Sequence, residues 1–222
     1  MAGLQFFFGL ITQFRMTINI GLLDRPLTAG LLAALIGGQW PQCIGVAVFF
    51  ELLWLDLFPA GTYIPPQRIL STLLVCSVIS VLHLSNPVHI LIPIFCALPA
   101  ARLGTSLEKY LRTMQGENHT RLVDWASQPE PSAFPASMIW RSLGKKIGYE
   151  SGLFFLLALL VTVFTALLVQ AFPPALMSSG LSWSHLWSAA LLGALPAVRI
   201  RRAYEVLVAG AVLICFLLLF LG

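Results

Sequence analysis

Charged residues are scarce in this sequence. Asp, Glu, Lys and Arg make up 10% of its 222 residues, whereas soluble domains carry about a quarter. Hydrophobic residues account for 58%, and the mean hydropathy is +0.88. A helical span needs roughly 20 apolar residues to cross a hydrocarbon core about 30 Å thick, and several stretches approach that length. The composition excludes a water-soluble globule and predicts an all-α polytopic membrane protein.

Motifs of enzymatic, redox or metal chemistry are also missing. The four cysteines lie in apolar stretches without CxxC spacing, which predicts small buried hydrophobes. The four histidines have no metal-ligand spacing. There is no Walker, GxSxG, HExxH or dinucleotide-binding motif. The sequence therefore predicts no cofactor, no metal site and no self-contained enzyme.

The positions of the basic residues indicate the membrane topology and do not indicate a nucleic-acid-binding surface. The net charge is +4, but the basic residues stand at segment ends and form no arginine-rich run. Residues 102–150 hold seven of the thirteen basic and five of the nine acidic residues. This predicts a cytoplasmic amphipathic linker at 102–150 between a first membrane half, 1–101, and a second, 151–222. The amino terminus lacks the basic region and cleavage site of a secretory signal, so the first segment is expected to be retained.

The linker opens with an amphipathic pattern. Leu103, Leu107, Leu111 and Met114 repeat at helical spacing with charged residues between them. This predicts a surface helix whose apolar face carries those four residues and which ends at Gly116.

A long apolar region is interrupted after its first twelve residues. Leu27–Gly38 stops at a Gly-Gln-Trp-Pro stretch and restarts as Cys43–Leu55. Each piece is too short to span a membrane alone. The interruption predicts a re-entrant hairpin or a broken helix, which is typical of the binding regions of transporters near the middle of the membrane.

Two further features concern the overall organisation. Val88–Ala101 contains Pro93 and Pro99, which predicts a kinked or divided helix. Residues 97–103 resemble residues 194–200, and each copy follows a span and a short apolar stretch. This similarity predicts a two-repeat construction.

Glu51 has the most apolar surroundings of any acid in the sequence. A carboxylate at membrane depth costs at least a few kcal/mol unless it is partnered or protonated. Two interpretations stay open: a functional site, or a structural carboxyl bonded to the backbone ends of the broken helices. Asp56 would lie about 140° around the same helix, so the two acids are not a catalytic pair. Asp56 is expected to cap a helix end or to face an aqueous cavity.

Neutral polar and aromatic residues surround the same region. Glutamines suit the hydroxyls of a neutral ligand. Tryptophan and tyrosine rings can stack on a sugar or anchor the chain at the membrane interface. Asp24, Arg25 and Pro26 suit a helix start with an acid near the N-cap. The candidate substrate-binding residues are Glu51, Gln39, Trp54, Asp56 and Gln67, and Gln42, Trp40 and Tyr63 lie nearby.

The order Asp24-Arg25-Pro26-Leu27, Glu51-Leu52-Leu53-Trp54-Leu55, Gly61 and Pro65-Pro66 resembles the IIC subunit of mannose/fructose/sorbose-type phosphotransferase systems. The sequence departs from the family pattern at Phe49-Phe50, where glycines are frequent, and at Gln67, where an acid is common. The departures leave the sugar specificity open.

The resemblance implies a non-catalytic, sugar-translocating subunit of the bacterial inner membrane. It implies a IID membrane partner, a IIC–IID unit that can form homo-oligomers, and cytoplasmic IIA and IIB proteins that carry the phosphoryl group. It also implies that Glu51 accepts hydrogen bonds from the sugar near the middle of the membrane. Two other interpretations remain: a secondary transporter or channel-like subunit without phosphorylation, and a membrane scaffold or assembly protein.

Overall fold

A computed structural model describes residues 25–55, 64–127, 136–171 and 180–194. These residues form helices and connecting segments without a β-strand, which confirms the predicted helical class. The helices are α1 (Pro26–Gly37), α2 (Trp40–Leu53), α3 (Arg68–Leu82), α4 (Pro87–Ala126), α5 (Ala136–Ala171) and α6 (Trp183–Ala194).

Among the described residues, two helical segments are long and apolar enough to cross a membrane. They are Pro87–Gly116 in α4, with 30 residues, and Trp140–Ala171 in α5, with 32. Helices α1, α2 and α3 have 12, 14 and 15 residues. At 1.5 Å per residue they are about 18 to 22 Å long, which is less than the roughly 30 Å of a hydrocarbon core. The long helices fit a membrane protein, and the number of crossings stays a prediction.

Helix α1 begins and ends at residues suited to those positions. Pro26 is its first residue, where the missing N–H would have had no partner in the helix. Gly38 ends it with φ of 71°, a left-handed conformation that glycine adopts at little cost, and its N–H donates to the Ala34 carbonyl at 2.8 Å. Gln39 then directly precedes α2, so the chain reverses within two residues.

The interruption is a helical hairpin, because α1 and α2 pack side by side. Gly30 on α1 faces α2 so closely that an added Cβ would collide with the Cβ of Ala47 and lie 3.0 Å from the Cys43 carbonyl oxygen. The predicted interruption is confirmed, its two halves lie side by side, and whether the hairpin is re-entrant stays a prediction. Small residues at this interface allow the two helices to approach closely, as in packed membrane helices.

Helix α3 lies at the centre of the fold. Every residue from Ile69 to Ile79 is buried, and α1, α2, α4 and α5 all contact this helix. Its hydroxyls bond to backbone carbonyls, as Ser77 Oγ does to Leu74 O at 2.7 Å. A helix that is apolar on nearly all sides is typically buried within the protein.

Contacts between helices set their directions. Gly37 lies against Ser80, so the carboxyl ends of α1 and α3 are at the same level. Cys76 Sγ lies 4.0 Å from the Cys43 carbonyl oxygen, near the start of α2 and the end of α3. Helix α1 is thus parallel to α3, and α2 is antiparallel to both. The start of α1, the end of α2 and the start of α3 therefore share one end of the bundle, which we call the polar end.

Helix α4 is a single element of 40 residues. Of the two predicted alternatives, a division at its prolines is wrong, and a kink within one helix stays a prediction. Pro93 and Pro99 each remove only one hydrogen bond, while buried Ile90, Ile94 and Ala97 pack against the core. The helix also continues past Gly116, where it was predicted to end. The expected boundary between residues 101 and 102 falls inside α4.

The buried face of α4 differs from the predicted one. Leu103 is 52% exposed, whereas Glu108 is 3% exposed. The buried positions Ala101, Thr105 and Glu108 continue the face of Ala97 at helical spacing, and Leu111 follows them. Of the four residues of the predicted stripe, Leu111 is buried, Leu107 and Met114 are half-buried and Leu103 is exposed, so the prediction holds at Leu111 and fails at Leu103. The spacing of apolar residues favoured the leucines, because spacing cannot show that a polar side chain such as Glu108 is buried.

Helices α5 and α6 complete the described fold. One side of α5 is buried along Phe154, Leu157, Ala158 and Val161. Its other side exposes large apolar residues from Phe155 to Leu167, which suits contact with lipid. Helix α6 packs on α2, where the indole Nε1 of Trp187 donates to the Gly45 carbonyl oxygen at 3.0 Å.

Replacing Gly30 by alanine tests the close approach of α1 and α2. We expect Gly30→Ala to lower stability by about 1 to 3 kcal/mol, because the new methyl group overpacks the hairpin. Adding Ala47→Gly should restore part of the loss, since it removes the facing Cβ. The measurement is the thermal unfolding midpoint of the purified protein in detergent.

Gly148→Ala is the matched control for this experiment. Gly148 also lies inside a helix, but apart from its chain neighbours and its own helix backbone no atom of the described residues lies within 4 Å of its Cβ position. The control should be neutral or stabilising by up to about 1 kcal/mol. Equal midpoints for Gly30→Ala and Gly148→Ala would contradict the close hairpin.

Candidate functional site

An ion pair joins the two helices of the hairpin at the polar end. Arg25 Nη1 donates to Glu51 Oε1 at 2.7 Å, from the N-cap of α1 to the last turn of α2. The Glu51 side chain is 13% exposed and the Arg25 side chain 40%. A charge-assisted bond of this length is among the stronger hydrogen bonds in proteins. Glu51 thus has the partner that a carboxylate in apolar surroundings requires.

The second oxygen of Glu51 faces the start of α1. The Leu27 N–H donates to Glu51 Oε2 at 3.4 Å. The first N–H groups of a helix have no partner within it and carry partial positive charge. The side chain of the N-cap residue, Arg25, makes no capping hydrogen bond. Glu51 of α2 therefore accepts a hydrogen bond that an N-cap side chain would accept at the start of α1. Asp24, which was expected to lie near this N-cap, is outside the described residues.

These contacts leave hydrogen-bonding capacity in both groups. An ionised carboxylate offers about four acceptor positions and a guanidinium five donors. Glu51 is observed with two donors, and the guanidinium of Arg25 is only partly covered. The structure thus supports a structural role for Glu51 and leaves polar atoms of both side chains for a ligand.

Trp54 lies one turn after Glu51 and packs into the core. It is 7% exposed and stacks on Phe50 with ring centroids 5.0 Å apart and an interplanar angle of 12°. Its backbone N–H donates to the Phe50 carbonyl oxygen at 3.2 Å, ending α2. One face of the indole is therefore used for packing within the protein.

Gln67 begins a second polar group at the same end of the bundle. Its Nε2 donates to Glu108 Oε2 at 3.4 Å, and Glu108 Oε1 accepts from Arg112 Nη2 at 2.7 Å. Gly104 makes the approach feasible, because a Cβ there would lie 2.5 Å from Gln67 Oε1. Gln67 is 7% exposed and Glu108 3%.

Sequence reasoning missed Glu108 as a buried acid. The charge-rich composition of residues 102–150 had assigned it to the solvated side of a surface helix. The available signal was the row of small residues Ala97, Ala101 and Gly104, whose spacing continues to Glu108. Lys146 and Glu150 on α5 are buried as well, at 4% and 2% exposure. The region called a linker therefore contributes charged side chains to the interior.

The structure brings together most, but not all, of the predicted site residues. Those at the polar end are Arg25, Pro26, Glu51, Trp54 and Gln67.

Gln39 is not among them. It precedes α2 at the opposite end of the hairpin, twelve residues and about 18 Å from Glu51 along the helix. Gln42 lies near Gln39, and its buried Oε1 has no hydrogen-bond partner among the described residues. Asp56 and Tyr63 lie outside the described residues.

Comparison with known proteins gives one informative result. No curated protein and no solved structure matches the chain significantly. The family model described as "PTS system sorbose-specific iic component" matches residues 1–221. The match covers the polar end, the central helix and both long helices, and it confirms the resemblance drawn from the motifs around Glu51. The chain belongs to the sorbose-specific IIC family of phosphotransferase systems and is a sugar permease subunit of that class.

Proposed function

We propose that this chain is the membrane-embedded, sugar-translocating IIC subunit of a phosphoenolpyruvate-dependent phosphotransferase system. In this proposal it acts with a IID membrane subunit in the bacterial inner membrane, and cytoplasmic IIA and IIB supply the phosphoryl group. The family match supports a sugar substrate. The Arg25–Glu51 pair carries the assignment of the binding site.

The pair suits a neutral polyhydroxylated ligand. Each sugar hydroxyl can both donate and accept a hydrogen bond. Glu51 would accept from hydroxyls and Arg25 would donate to them, while the bond between the two side chains holds both in one orientation. Because Glu51 already neutralises Arg25, the unliganded site leaves no isolated charge in apolar surroundings.

The location of the polar end suggests where the sugar is phosphorylated. The Gln67 N–H donates to the Ala101 carbonyl oxygen at 3.3 Å, so the start of α3 is level with the start of the charged part of α4. The positive-inside rule places residues 102–146 in the cytoplasm. The polar end would then face the cytoplasm, and this proposal replaces the expected site near the middle of the membrane.

This arrangement couples binding to transfer of the phosphoryl group. Sugar held at the cytoplasmic end of the short helices is within reach of a phosphorylated IIB protein docked on that side. The product carries a phosphate charge, and a charged group crosses hydrocarbon at high cost. The phosphorylated sugar therefore cannot return through the membrane and remains in the cytoplasm.

Variants of Glu51 test the binding site. We expect Glu51→Gln to raise the KM of sugar uptake about tenfold, because a neutral amide is the weaker acceptor. Glu51→Ala should reduce uptake further. Uptake of labelled sugar is measured in cells that express the complete system, with the membrane content of each variant quantified. Asp124→Asn, which alters an exposed acid on α4, is the control.

A charge exchange separates binding from structure. The double variant Arg25→Glu, Glu51→Arg keeps an ion pair between α1 and α2 but exchanges the positions of donor and acceptor. We expect it to reach the membrane and to remain defective in uptake. Full recovery of uptake, or wild-type KM in both single Glu51 variants, would show that the pair is structural only.

Thiol labelling tests the proposed orientation. In a background with the four native cysteines replaced, Ser85→Cys lies between α3 and α4 at the end opposite the polar end, and Lys109→Cys lies on the charged part of α4. Both positions are exposed. An impermeant maleimide should label position 85 in intact cells and position 109 only after permeabilisation. The reverse pattern would place the polar end outside the cell.

A further inference from the structure

Residues 64–67 lead into α3 and are hydrogen-bonded along α4, and we call them the fastened segment. Thr105 Oγ1 donates to the Pro65 carbonyl oxygen at 3.2 Å, and the Gln67 N–H donates to the Ala101 carbonyl oxygen at 3.3 Å. The third contact is the bond from Gln67 Nε2 to Glu108 Oε2. The α4 residues of these contacts follow one helix face. Residues 64–67 are not helical, so these bonds replace the partners that a helix would provide.

Glu108 orients the amide of Gln67. The amide nitrogen points to the carboxylate, and its oxygen lies over Gly104, where the absence of a side chain leaves room. Arg112, whose side chain is 50% exposed, holds the other carboxylate oxygen at 2.7 Å. A buried ion pair contributes little to stability compared with apolar packing, but it can specify one arrangement. The Glu108 carboxylate, held by Arg112, is therefore suited to position the amide of Gln67.

The fastened segment leads directly into α3, and α3 packs against both helices of the hairpin that carries the proposed sugar site. Trp54, one turn after Glu51, holds the end of α2 against the core by stacking on Phe50. The bonds to α4 hold the start of α3 at the same end of the bundle. The position of α3 against the hairpin therefore depends in part on these bonds.

We infer that Glu108 is a positioning residue for sugar binding, acting through Gln67 on the start of α3, which packs against both helices that carry the proposed site. This role rests on the proposed function, in which sugar binds at Arg25 and Glu51. Glu108 itself does not contact the sugar. Gln67, predicted from sequence to bind substrate, acts instead as the link between α4 and the site.

Exchanging the two side chains tests the link. Gln67→Glu places two carboxylates at the position of the observed bond, and we expect the KM of uptake to rise at least about tenfold. Glu108→Gln keeps two groups able to hydrogen bond but removes the charge that holds Arg112, and a smaller rise is expected. The double variant Gln67→Glu, Glu108→Gln restores a carboxylate–amide pair and should return KM to within about threefold of wild type.

The readouts are chosen to separate positioning from folding. KM and Vmax are measured in cells with the complete system, and the thermal midpoint is measured on purified protein. Lys109→Gln, at an exposed position beside Glu108, is the control. The positioning role predicts a rise in KM that the double variant reverses, with Vmax per molecule changing less.

Two outcomes would overturn the inference alone. A lowered thermal midpoint with wild-type KM in Gln67→Glu would show that the link serves folding only. A double variant no better than the worse single variant would show that the two side chains are not coupled.

Failure of the proposed function gives a different result. In that case the wild type takes up no sugar, or the Glu51 variants keep the wild-type KM. The positioning role then falls with the sugar site. The thermal midpoints of the Gln67 and Glu108 variants still report whether the link between α3 and α4 exists.

Discussion

The carboxylate of Glu51 connects three requirements of a short helical hairpin. It neutralises Arg25, it accepts a hydrogen bond from the start of α1, and it joins the end of α2 to that start. In apolar surroundings each of these groups would otherwise lack a hydrogen-bonding partner. The same carboxylate keeps acceptor capacity for a ligand, so the structural role and the proposed binding role meet in one side chain.

Helix α3 provides the rigid reference for this arrangement. It is buried along Ile69–Ile79, and both hairpin helices and both long helices pack against it. Close approaches at Gly30 and Gly37 bring α1 to its neighbours. Because a densely packed interior does not deform easily, a shift of α3 would also shift the helices that pack against it. A change in how residues 64–67 lie on α4 would therefore alter the geometry around Glu51.

Glu51 and Glu108 are assigned different roles in the proposed transporter. Glu51 lies beside a half-exposed guanidinium and is suited to meet a ligand. Glu108 is more deeply buried, and the amide that it orients belongs to the protein. The family assignment supplies the sugar and the phosphotransferase context. The difference in burial and partners is the basis for assigning the two acids different roles.

The interruption at Gly38 and the need of Glu51 for a partner could be predicted from sequence, because both follow from local chemistry. A few neighbouring residues are enough to recognise a short apolar helix that ends at glycine, or an acid among hydrophobic residues. The face of α4 could not be predicted in the same way. Leucines at helical spacing favoured the side of Leu103, whereas the buried side carries small residues and Glu108.

By itself the sequence determined that the chain is apolar and helical, where its short helices break, and which acid stands out. The tertiary structure alone decided which residues meet. Glu51 joins Arg25 across 26 residues and Gln67 joins Glu108 across 41, whereas Gln39 lies at the far end of α2. Periodicity describes each helix separately and contains no information on the direction and register in which helices pack. The direction and register of the helices bring these residues together at the polar end and place Gln67 against α4.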